Sequence, residues 1–172
     1  MAINNIDDLY NDLSVLIGMI ESKDPDTSLS LGELLSKVIM ISAASQFEFE
    51  IRSAIKNINH IDSQKIRAYM QSSTGRKFWN MFDINKDTKN INHFLRYFGE
   101  EFLERLSNEI KNNQKLNDST RSFILMLQVR NELVHTGFLS YKISQSYQDS
   151  YRLYKDSLLL IDFIKTELAM PD

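Results

Sequence analysis

Cysteine is absent from this chain. That excludes disulfides, thiolate metal sites and cysteine nucleophiles, and it fits a cytoplasmic location. Proline and glycine are scarce, at two and five among 172 residues. A β-rich chain needs many turns and turns consume both residues, so their scarcity favours long helices. Histidine occurs only at 60, 93 and 135, without metal-ligand spacing, and no carboxylate cluster accompanies it. No metal and no other cofactor is therefore expected. The chain also lacks a phosphate-binding glycine loop and a serine in a nucleophile elbow. No uncharged apolar run approaches the length of a membrane span, and the acidic, amphipathic start MAINNIDDLYNDL is unlike a signal peptide. No membrane partner is expected.

What is present describes an ordinary globular chain, with 42 % hydrophobic and 25 % charged residues. Its length suits a single domain over residues 1–172 with a real core. The net charge of −3 is unevenly spread. Residues 52–96 hold nine Lys/Arg against three acids, leaving eleven basic and twenty acidic residues elsewhere. Such a basic middle is either a phosphate-facing surface or a solvated connector.

Apolar spacing predicts five helices. The first covers 4–22, and the turn-forming KDPDTS, with Pro25, ends it. The second covers about 29–58, capped by Ser28 or Ser30. A polar, basic, irregular insertion spans about 59–90, with a short helix after Asp62 and an aromatic cluster, GRKFWNMF. The third helix covers 91–112. The fourth starts at Asp118 or Ser119 and ends at Gly137, and the fifth covers about 144–168. The expected fold is all-α, an up-and-down bundle of four to five helices with a basic irregular insertion.

Two charged residues interrupt the apolar stripes. Glu48 shares a face with Ile41, Ala44, Ile51 and Ile55. Arg130 sits among Phe123, Met126, Leu127, Leu133 and Val134. Buried charges are costly unless paired, so these two suggest an internal ion pair. The stretch VRNELVHTGF (129–138) allows a second reading. A guanidinium grips phosphate with paired hydrogen bonds, and an imidazole moves protons near neutral pH. Five helical positions place Arg130 and His135 about 140° apart around the axis, so they are not stacked neighbours.

The string RNELVH resembles the signature of the HEPN superfamily: an arginine (Arg130), four residues of which the first is polar (Asn131), and a histidine (His135). The earlier helix SAASQFEFEIRSAI is similar to the family's helix that carries an acidic residue facing the motif, with Glu48 the better match than Glu50. GRKFWNMF and FGEEFLERL resemble the larger members, including the RiboL-PSP-like group. The similarity of layout covers about residues 30–168. It implies a metal-independent endoribonuclease of toxin–antitoxin, phage-defence or RNA-processing systems. It also implies a homodimer with both motifs in one shared cleft, RNA as substrate, and an antitoxin protein as a partner. In that reading Arg130 stabilises phosphoryl charge and His135 acts as general acid or base. Asn131 positions a phosphate, and Glu48 orients Arg130 or His135. Arg76, Lys77, Lys86 and Lys89 would guide the RNA backbone. Phe78 and Trp79 either stack on a base or pack the insertion onto the bundle. Gly137 stands two residues after His135, where toxins encoded beside small nucleotidyltransferases carry a tyrosine. The alternatives are a non-catalytic HEPN-like module that binds nucleotide, RNA or protein, and a plain helical interaction protein.

Overall fold

The computed structural model describes residues 5–58, 78–85 and 87–170. Among them are six α-helices and one 3-10 turn, with no strand. They are α1 (Ile6–Glu21), α2 (Pro25–Lys56), the 3-10 turn (Phe78–Phe82), α3 (Asn92–Arg96), α4 (Glu100–Asn112), α5 (Gln114–Thr136) and α6 (Tyr147–Ala169). The expected all-α bundle is what forms. α2, α5 and α6 pack on one another at its centre, α1 lies on α2, and α4 lies on α5.

Local chemistry sets the helix ends, and several differ from the sequence expectation. α1 starts at Asn5, whose side chain accepts from the Asp8 amide at 2.8 Å. KDPDTS breaks the chain after α1 as expected, but only its Lys23 and Asp24 lie between the helices, and the remainder opens α2. Asp24 accepts from the Thr27 amide at 3.0 Å and the Thr27 hydroxyl at 2.7 Å, and Pro25 occupies the first turn. Proline is tolerated there because its missing N–H would have had no helical partner. α5 begins at Asn113, which accepts from the amides of Lys115 and Leu116, so Asp118 and Ser119 lie inside the helix. The helix expected over 91–112 is split by Gly99, whose φ of +105° is accessible to glycine and strained for other residues.

The core is tied together by a run of aromatic rings. Tyr154 of α6 stacks on Phe47 of α2, which meets Phe123 of α5 at 6.0 Å. Phe123 contacts Phe82 of the 3-10 turn edge-on at 5.3 Å, and Phe82 stacks on Phe94 of α3 at 4.8 Å. The aromatic end of the insertion is thus part of the core, with Phe78, Met81 and Phe82 buried. The helix expected after Asp62 lies outside the described residues.

Buried serines mark where helices approach closely. Ser36 of α2 bonds the Ser150 hydroxyl of α6 at 2.6 Å and donates to the Gln145 carbonyl at 3.0 Å. Ser119 of α5 donates to the Asp156 carbonyl and accepts from the Leu160 amide of α6. Each hydroxyl finds a partner, as buried polar groups must. By length and composition α2 would pass as a membrane span, and half of its most apolar stretch is buried within the bundle.

Candidate functional site

α5 carries Arg130, Asn131 and His135 in its closing turns. Arg130 is half-buried because its stripe faces the core, flanked by the buried Val129 and Leu133. Its guanidinium carbon lies 4.7 Å from the centre of the Trp79 ring, and its Nη1 donates to Asn131 Oδ1 at 3.3 Å. Burial pushes this guanidinium down from arginine's ordinary value, and the Glu48 carboxylate pushes it back up. The group still stays charged.

The expected ion pair between Glu48 and Arg130 does not form. Glu48 is instead hydrogen-bonded and ion-paired to Arg52, one turn along α2. Side chains four residues apart are neighbours on a helix surface, and the Glu48/Arg52 spacing already carried that signal. Arg52 lies over Phe78 at 5.5 Å, and Phe78 meets Trp79 edge-on at 4.9 Å. Adjacent rings of one dipeptide therefore each take a guanidinium. Glu48 is bonded to one and acts on the other through space. One oxygen of the carboxylate, Oε1, is bonded to Arg52. Among the described residues, the single hydrogen bond to Asn131 is all that occupies the five donors of Arg130.

Phe78 is buried, which assigns it to packing, while Trp79 is half-exposed beneath Arg130. Glu50, the acidic residue set aside in favour of Glu48, faces α6. There it accepts from Lys165 at 2.9 Å and from Gln46 at 2.8 Å. Burial raises its carboxyl, but the bonds from Lys165 and Gln46 and the lysine charge outweigh that and hold it below its ordinary value.

His135 is exposed in the last turn of α5. Among the described residues it has no hydrogen bond, ion pair or ring contact. Gly137 ends the helix with a φ of +98°, and its carbonyl accepts from the amides of Ser140 and Tyr141 at 3.1 and 3.0 Å. The chain folds back there, so Tyr141 comes to line one groove with Asn131. This groove, of about 610 Å³, also takes in Asn85, Gln128, Glu132 and Gln145. Sequence reasoning missed Tyr141, because it lies ten positions beyond Asn131 and only the reversal at Gly137 joins them. The loop after the motif is held to α2 by Phe138, whose ring lies 5.9 Å from Nζ of the buried Lys37. That lysine is paired with Glu33 at 2.8 Å.

Of the residues expected to guide RNA, Arg76, Lys77 and Lys86 lie outside the described residues. Lys89 is exposed and lines a different groove, of about 380 Å³, with Asn92, Asn108 and Lys111. Among the described residues no group of three or more His, Asp or Glu side chains is placed to hold a metal ion.

Comparison with protein families gives a match to the model described as RiboL-PSP-HEPN, over residues 3–170. No curated protein and no solved structure matches the chain.

Proposed function

The chain belongs to the RiboL-PSP-HEPN family, and from that premise we propose that it is a metal-independent endoribonuclease. The observation that carries this reading is the state of Arg130. Its guanidinium is half-buried on the Trp79 face, Glu48 is bonded to Arg52 and reaches Arg130 through charge alone, and most of the guanidinium donors are left for an anion. A guanidinium held in place with open donors is suited to a phosphate that gains charge during reaction.

In this mechanism the RNA 2′-oxygen gives up its proton and attacks the adjacent phosphorus. The bond from phosphorus to the 5′-oxygen breaks, that oxygen takes a proton, and a 2′,3′-cyclic phosphate and a 5′-hydroxyl remain. His135 serves one of the two proton transfers. Arg130 offsets the charge on the phosphoryl oxygens, Asn131 holds Arg130 and the phosphate in register, and Glu48 acts on Arg130 through its charge. Arg130 and His135 diverge around α5, and a homodimer with a shared cleft lets the arginine of one copy work beside the histidine of the other. The setting that fits is cytoplasmic RNA processing, phage defence or a toxin paired with an antitoxin protein.

One observation favours a second reading, a non-catalytic module that binds nucleotide or RNA: no side chain of the described residues orients His135. Incubation of RNA with the purified protein in chelator decides between them. Arg130→Ala and His135→Ala, shown folded by circular dichroism, are run beside it. Cleavage that leaves cyclic phosphate ends and vanishes in both variants supports the ribonuclease. Binding that needs Arg130, without cleavage, supports the module, and equal cleavage by all three proteins removes the motif from the chemistry.

A further inference from the structure

The groove beside Asn131 is not used by the mechanism above. We propose that it is a nucleobase subsite selecting guanine, at a nucleotide adjoining the phosphate held by Arg130; this rests on the ribonuclease reading. Its volume of about 610 Å³ is ample for a base and falls in the usual range for small-molecule sites. Its walls are apolar at Ile84, Leu125 and Val129, and Tyr141 contributes an aromatic ring. Among the described residues Tyr141 pairs with no other ring, so its faces are not engaged in aromatic stacking. Bases that leave their stack are held on such rings and read by hydrogen bonds to their edges.

The polar groups define which base. Among the described residues lining the groove, Glu132 is the one that carries charge, and a carboxylate there repels phosphate. The backbone phosphate is thereby left to Arg130, and the groove takes the uncharged part of the nucleotide. An ionised carboxylate only accepts, and its two oxygens match two parallel N–H donors. Guanine presents such a pair, N1–H beside its exocyclic amine. Adenine and cytosine present one donor beside an acceptor, and uracil presents one donor between acceptors. The amide of Gln128, which already gives one hydrogen to the Asn85 carbonyl, has a second to offer the guanine O6 and N7 edge, and the amide of Gln145 lines the same groove. Gln145 Oε1 is buried without a hydrogen-bond partner among the described residues, an open acceptor that an N–H of a bound base would satisfy. Asn131 joins the two parts of the site: it lines the groove, and its Oδ1 accepts from Arg130 at 3.3 Å.

The test is titration of the protein with the four ribonucleoside 3′-monophosphates, followed by cleavage of oligonucleotides that differ at one base. Guanosine monophosphate is expected to bind about tenfold tighter than the uridine nucleotide, the scale of one good paired contact. Glu132→Gln, at an exposed position where folding is not at stake, should abolish that preference. Tyr141→Ala should weaken all four nucleotides. Equal binding of the four, binding of none, or a guanine preference that survives Glu132→Gln overturns the subsite. A guanine preference without cleavage sinks the ribonuclease reading and keeps the subsite. Cleavage without base preference does the reverse.

Discussion

Replacing Gly137 with alanine isolates backbone strain at the end of the motif helix. Its φ of +98° and ψ of 133° lie where residues with a side chain are strained. A Cβ built there meets nothing closer than Ser140 Oγ at 3.8 Å, an ordinary contact, so no steric clash adds to the effect. Holding a non-glycine residue in such a region costs about 1–3 kcal/mol. Alanine also restricts the unfolded chain, which offsets about 0.4–1 kcal/mol of that cost. The net expectation is a loss of about 0.5–2 kcal/mol, with about 2–4 °C in Tm for each kcal/mol in a chain of this size. Gly18→Ala is the internal control. Gly18 is exposed inside α1 with open space around it, so alanine there should stabilise by up to about 1 kcal/mol. Urea unfolding followed by circular dichroism measures both. If Gly137→Ala matches or exceeds the wild type in stability, the positive φ is not required and the turn that brings Tyr141 to Asn131 has been misread.

Phe82→Ala should cost about 3–5 kcal/mol, because the ring is fully buried between Phe94 and Phe123; a loss below about 1 kcal/mol would contradict its place in the core. Glu50 is held below its usual carboxyl value of 4.5, so its contribution is fully present above that value and disappears as pH falls through the lower folded one. Glu50→Gln should therefore flatten the acid side of the stability–pH profile, and an unchanged profile would show that Lys165 does not hold the carboxylate in solution. Arg130→Lys keeps the charge and loses the planar fork, so RNA cleavage should fall at least about tenfold; full activity would mean that a point charge suffices at that position.

The fold class was legible because helical periodicity is a property of consecutive residues. The ends were less so, because a cap depends on which of several small polar residues the backbone selects. Asp24 and Asn113 were passed over for Ser28, Ser30, Asp118 and Ser119, although Pro25 and the asparagine before Gln114 carried the usual signals. The insertion read as polar because its residues were averaged, while the rings of Phe78 and Phe82 fill the centre of the bundle. Within the candidate site, Arg130, Asn131 and Glu48 were named from pattern and family resemblance. The partner of Glu48 was not, because a charge on an apolar stripe drew attention across the bundle and away from Arg52 one turn along. The groove was not legible at all, since it joins 84–85, α5 and the loop after Gly137, and no local pattern encodes that meeting.

The chain contains one tryptophan, and it is the residue beneath Arg130. Indole emission responds to a cation against its ring and to the water around it. The protein thus carries an optical reporter at the position proposed to meet phosphate, and needs no label. A ligand that draws the guanidinium away should change the colour and intensity of that emission in proportion to occupancy. A ligand seated only in the groove beyond Asn131 would leave it nearly still. Stopped-flow traces of the same signal would then resolve arrival at the arginine from any later bond breaking, in unmodified protein and on the timescale of mixing.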